Sequence, residues 1–107
     1  MKLESPRPLP VLFEFPDEPE RLECWGRFLS LDAAGAVLLC GPRVARGARL
    51  RLRFDLPGGE RLEGLEGDAR RVKRDADGYS EVRLLWRVCP ARDALRRGLL
   101  GLFAAAV

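Results

Sequence analysis

Arg49-Leu50-Arg51-Leu52-Arg53-Phe54-Asp55-Leu56 is the stretch of this 107-residue chain whose reading decides the fold. Leu50, Leu52, Phe54 and Leu56 recur at every second position, and Arg49, Arg51, Arg53 and Asp55 fill the places between. A period of two sends one set to each face of a β-strand, the apolar face against a core and the charged face into water. Pro57-Gly58-Gly59 then supplies the backbone freedom of a hairpin turn, so the chain returns beside itself. The returning strand runs from Glu60 to Arg74, and its phase slips near Gly64, because Leu62 and Leu65 cannot share a face without an extra residue. A bulge within 64–67 is the expected remedy, and it bends a strand round the corner of a barrel.

The same alternation recurs on both sides of the hairpin. Leu22, Cys24, Gly26 and Phe28 alternate with Glu23, Trp25 and Arg27, and the turn formers of 30–35 end that run. Ala36 to Cys40 reads as a short apolar strand, and Gly41-Pro42 opens a basic loop through Arg43 and Arg46. Asp75-Ala76-Asp77-Gly78 is another turn, after which Val82, Leu84, Trp86 and Val88 form a last inward stripe. Beyond Cys89 the period changes to about 3.6, and Leu95, Leu99, Leu102 and Phe103 line one face of a helix over about 90–104. Gly98 and Gly101 each cost that helix about 1 kcal/mol relative to Ala, so the helix is expected to gain from close packing, on the open end of the sheet. Residues 1–20 carry five prolines and read as a Pro-rich N-terminal segment, with room only for an edge strand at 11–15. The body of the domain is then 21–104: an all-β barrel of short antiparallel strands with one C-terminal helix.

Composition narrows the function. The chain has no His, which excludes imidazole bases, Ser-His-Asp triads and His-ligated metal sites. Glu23 and Asp32 are the only carboxylate pair that suggests acid/base work, and no spacing joins them, so the chain reads as not an enzyme. With 19 basic residues interleaved among 16 acidic ones, the net charge is only +3, which argues against a nucleic-acid partner. Cys24, Cys40 and Cys89 are odd in number and form no CxxC, so they read as small core residues in a reducing compartment, with no metal site. No run approaches the ~20 apolar residues of a membrane helix, and Met1 to Pro6 lacks the apolar stretch of a secretory signal, so a cytoplasmic protein without membrane insertion is expected. Nothing in the sequence bears on oligomeric state.

A strand ending in Ser30-Leu31-Asp32-Ala33-Ala34-Gly35, the hairpin from Arg49, the bulged stretch through Arg71-Val72-Lys73-Arg74, the strand from Gly78 to Val88 and a closing helix together resemble a PilZ domain, over about residues 10–103. The resemblance implies a bacterial, six-stranded antiparallel β-barrel. Members that bind cyclic dimeric GMP carry an RxxxR segment before the barrel and an Asp/Asn-x-Ser-x-x-Gly turn after its first strand. Here Gly35 matches the turn, Ser30 stands where Asp or Asn is expected, and Asp32 stands where Ser is expected. RxxxR is missing, since Arg7 is followed four residues on by Val11 and Arg21 by Trp25. The resemblance is therefore to the degenerate class, which implies an adaptor in type IV pilus biogenesis and twitching motility or a related surface process. Its partner would be a protein, drawn from the pilus-assembly machinery, and nucleotide binding would be lost or weak.

Losing two guanidinium forks matters because each charge-assisted bond to a phosphate contributes about 1.5–3 kcal/mol. The alternative is a cyclic dimeric GMP receptor with a rearranged site built from Ser30, Asp32, Gly35, Arg43 and Arg46. For protein contact the candidates are Trp25 and Arg27, both residue types that anchor interfaces. The row of Arg49, Arg51 and Arg53 reads as a solvated strand face, with an anion-binding patch as its other reading.

Overall fold

The computed structural model describes residues 2–3 and 9–105. Its elements are β1 (Lys2–Leu3), β2 (Leu9–Glu14), β3 (Cys24–Asp32), β4 (Gly35–Cys40), β5 (Arg49–Asp55), β6 (Arg61–Arg74), β7 (Ser80–Trp86) and α1 (Pro90–Ala105). Six strands in the order β3-β2-β5-β6-β7-β4 close into a barrel through the pairing of β4 with β3, every pairing being antiparallel. The two residues of β1 extend the edge of β3, Lys2 lying opposite Asp32. This is the six-stranded barrel with one C-terminal helix that the alternation and the resemblance call for.

β5 is as its sequence reads: Leu50, Leu52 and Phe54 are buried, and Arg51, Arg53 and Asp55 are exposed. The hairpin bulge sits at Glu63 and Gly64, where the register steps from Leu52 opposite Leu65 to Phe54 opposite Leu62. Gly64 adopts a φ of 75°, which an L side chain resists. Two further bulges follow the same logic of one extra residue, at Leu29 in β3 and at Arg70 in β6. The first ends the simple alternation of β3, so that Ser30 and Leu31 are both buried while Leu29 is turned outward. Inside the barrel Phe28 meets Phe54 and Trp86 edge to face, at centroid distances of 4.8 and 6.4 Å.

Several expectations change. The strand expected at the edge over 11–15 runs from Leu9 to Glu14 and is paired on both sides, by β3 and by β5. Pro10 is tolerated because pairing with β5 begins only at Leu12, so its missing N–H interrupts no bond to that neighbour. Val11, Phe13 and Phe15 therefore belong to the core. Leu22 and Val88 lie outside the strands and are exposed, since β3 begins at Cys24 and β7 ends at Trp86. In α1, Leu95 and Leu99 are buried as read, and Gly98 lies so close to the hairpin that a Cβ there would stand 2.5 Å from Leu56 Cδ1. Gly101 faces open space, so the close approach of the helix is made at Gly98. The side chains of Phe103, Ala104 and Ala105, and residues 106–107 entirely, lie outside what is described.

Candidate functional site

Ser30, Asp32 and Gly35 come together at the β3–β4 turn because the Asp32 carboxylate closes it. Asp32 Oδ1 accepts hydrogen bonds from the backbone N–H of Ala34 and of Gly35, each at 2.8 Å. The carbonyl of Asp32 accepts the indole N–H of Trp86 at 3.0 Å, and the Trp86 backbone N–H donates to the carbonyl of Ala34 at 2.9 Å. Gly35 is required by proximity rather than by a left-handed backbone, since a Cβ there would stand 2.0 Å from the Leu84 carbonyl oxygen. The turn is thus locked against the end of β7, and Asp32 serves it as a structural acceptor.

Beside the turn lies a cleft of about 240 Å³ that also takes in Arg70 and Arg83. Arg70 is the bulged residue of β6, and a bulge re-aims a side chain that regular pleating would point elsewhere. Arg83 stands on β7 opposite Val37 of β4. Among the described residues neither arginine has a carboxylate partner. The cleft therefore presents to an anion two guanidiniums with no ion pair among the described residues, with the turn-bound Asp32 carboxylate beside them. Sequence reading missed both; the adjacent arginines at 70 and 71, inside a strand that otherwise alternates, were the available signal.

Arg43 and Arg46 do not join this cleft. They follow Cys40, and the whole length of β4 separates them from Gly35, which starts that strand. Six residues at about 3.3 Å each place the basic loop at the other end of the barrel, so the rearranged site drawn from the sequence is divided in two.

Trp25 and Arg27 lie on the outer face of β3, and Trp25 is 64% exposed. Among the described residues none covers the indole, although Leu9 and Pro10 line the groove on one side of it. On its other side a groove of about 280 Å³ runs between Trp25 and Tyr79, with Arg27 and Leu39 beside them and Gly26, Cys40 and Gly41 completing the lining. Among the described residues no acidic one lines that groove.

The arginine row of β5 is occupied from within. Arg49 pairs with Asp17 at 2.8 Å, Arg51 with Glu14 and Glu66 at 3.2 Å each, and Arg53 with Glu23 at 3.5 Å. The Arg51 pairs are cross-strand and the other two reach loop carboxylates, so among the described residues every arginine of this row is paired and none is left free for an anion. The same pairing separates the two carboxylates with any claim to acid/base work: Glu23 sits beside Arg53 and Asp32 in the turn cleft. Among the described residues no cluster of acidic and Cys side chains could hold a metal ion, and no helix is long and apolar enough to cross a membrane.

Comparison with protein-family models and with curated proteins gives no match. Solved structures do match. The Bacillus subtilis inhibitor of motility MotI/DgrA aligns with a TM-score of 0.68 at 18% identity over 96% of this chain and 50% of its own. The PilZ domain of CeSA from a cellulose-synthesizing bacterium aligns at 0.65 and 19%, over 95% of this chain and 97% of that domain. Escherichia coli YcgR, solved in complex with c-di-GMP, aligns at 0.73 and 14%, over 99% of this chain and 46% of YcgR. The chain thus spans about half the length of MotI and of YcgR. Likeness at these identities is a matter of architecture, and the architecture of this chain is that of a PilZ domain.

Proposed function

We propose that this chain is a non-enzymatic adaptor domain of the PilZ type that takes a protein partner at the groove between Trp25 and Tyr79. The observation that carries this reading is Trp25 itself, a large aromatic side chain left 64% exposed on a rigid barrel strand. An exposed Trp beside an Arg is the composition of an interface anchor: large contact area, little entropy to lose, and a fork of donors at the rim. Arg27 and the acid-free lining select an acidic surface on the partner. In its narrower form the reading makes the domain a cytoplasmic adaptor in type IV pilus assembly and twitching motility, or in a related surface process. Affinity capture with the full chain, using Trp25→Ala and Arg27→Glu as paired variants, tests it. Recovery of a pilus-assembly protein by the parent chain and its loss with either variant is expected. Capture indifferent to both changes would remove this surface.

A second reading is favoured by Arg70 and Arg83: a c-di-GMP site at the β3–β4 turn, using these two in place of the missing RxxxR pair. Two charge-assisted contacts of about 1.5–3 kcal/mol each support micromolar binding when stacking adds to them. Isothermal titration with c-di-GMP tests it, with saturable heat expected for the parent chain and none for the Arg70→Ala, Arg83→Ala double variant. Absence of heat from the parent at high micromolar ligand leaves the adaptor reading alone.

A further inference from the structure

At the end of the barrel remote from the β3–β4 turn, the loop that follows β2, the loop that follows β4 and the hairpin ends of β6 and β7 enclose a hollow of about 480 Å³. Three guanidiniums line it, those of Arg21, Arg43 and Arg74, against the single carboxylate of Glu18. We infer that this hollow is an anion site separate from the turn cleft, made for a phosphorylated small molecule that carries at least two negative charges.

Two of the three arginines are already held in place, and chiefly by neutral acceptors. Arg74 Nη1 donates to the hydroxyl of the buried Ser80 at 2.9 Å and to the Gly41 carbonyl at 3.4 Å. Arg21 lies over the ring of Phe15, 3.7 Å from its centroid, and donates to the carbonyl of Arg43. Its one ionic contact, Glu18 at 3.4 Å, is partly exposed. Arg43 is exposed, and its guanidinium makes no hydrogen bond among the described residues. Carbonyls and hydroxyls orient a guanidinium without cancelling its charge, so the hollow keeps the balance of three cations and one anion. The arginine row of β5 is built the opposite way, with carboxylates at 2.8–3.5 Å neutralising it.

That balance selects the ligand. A phosphate ester or pyrophosphate brings two or more charges and oxygens spaced for a planar fork of N–H donors, whereas a monocarboxylate would leave one cation unmatched. The hollow is much larger than a phosphate alone, and Val44, Ala45, Ala48 and Val72 add apolar wall for whatever the phosphate is attached to. Because two guanidiniums are ordered before binding, less rotamer entropy is lost when the anion arrives.

Titration calorimetry of the full chain with sodium pyrophosphate and with ADP at low salt tests the site. Saturable binding of at least one probe is expected, weakened about tenfold or more by Arg43→Ser and by Arg21→Ser, and unchanged by Arg70→Ser in the other cleft. The exposed Arg43 is the deciding position, since Arg21 also braces a loop; an unchanged melting temperature for Arg43→Ser ties its loss to the ligand. No saturation by either probe up to about 10 mM overturns the proposal, at an affinity too weak to matter. So does binding that survives Arg43→Ser and disappears with Arg70→Ser.

Discussion

Gly35 and Asp32 do their work through the backbone. A methyl group at 35 would collide with the Leu84 carbonyl, which is part of the β4–β7 ladder and cannot yield without breaking it. Gly35→Ala is expected to lower stability by about 1–3 kcal/mol, the usual cost of forcing volume into a packed site, read as a lower melting midpoint in denaturant. Cys40 shows a second residue-level effect. Burial raises its thiol pKa from 9.0 to about 11, with the nearby Cys24 adding to the rise and Arg74 and Arg21 opposing it. Below pH 9.0 the thiol is protonated in both the folded and unfolded chain and contributes no pH dependence. Between 9.0 and about 11 the unfolded chain ionises before the folded one, so stability falls as pH rises through that window, by about 3 kcal/mol in all. Denaturant melts at pH 8 and pH 10.5 should show that fall in the parent and a smaller one in Cys40→Ala. An equal fall in both would place the pH dependence on other groups.

Within α1 the two glycines separate propensity from packing. Gly101 meets nothing, so Gly101→Ala should stabilise the domain by about 1 kcal/mol through helix propensity alone. A Cβ at Gly98 would stand 2.5 Å from Leu56 Cδ1, whose side chain is buried, and 3.1 Å from Glu60 Oε2, so Gly98→Ala should lose more in displaced packing than it gains in propensity. Thermal melts of the two variants should therefore shift in opposite directions, and shifts of the same sign would mean that the Leu56 and Glu60 side chains move aside at little cost. The outer face of β5 belongs to the same scale. The ion pairs of Arg51 are exposed and cross-strand, so Arg51→Ala should cost less than about 1 kcal/mol despite breaking two contacts. The bulge at Arg70 breaks the regular pleat of β6, and its side chain lines the turn cleft.

Closure of the barrel is the property of the whole molecule. Each strand gives alternate side chains to one interior, so the fold depends on every stave keeping its phase. Leu52→Asp would place a carboxylate at a position 1% exposed, in contact with the common core, at a cost of several kcal/mol against a total stability of ~5–15. The variant should show no cooperative thermal transition by circular dichroism, and a native-like melt would mean that Leu52 does not face inward. Closure also gives the molecule two chemically distinct ends. The β3–β4 turn has its cleft with Arg70 and Arg83, and the far end has its hollow with Arg21, Arg43 and Arg74. Trp25, the second residue of β3, stands on the outer wall toward that far end, where Cys40, Gly41 and Tyr79 line its groove.

The alternation of β5, the turn at Pro57 to Gly59, the slipped phase at Gly64 and the change of period after Cys89 were legible in the sequence because each is a local rule of sterics and burial. From them came the barrel, its helix and most of its core. Strand neighbours were not legible: that Leu9–Glu14 is paired on both sides depends on where β5 begins to flank it, a relation between residues some forty positions apart. The site divided in the same way. Ser30, Asp32 and Gly35 lie in one turn and could be read together, whereas Arg70 and Arg83 reach them only through the β6 bulge and the β7–β4 register. Arg43 and Arg46 looked close on the chain and were carried away by the length of β4. Sequence spacing determines which side chains share a face of one element, because backbone geometry sets it within a few residues. Which elements meet is decided by the closing of the sheet, and only the tertiary structure holds that information.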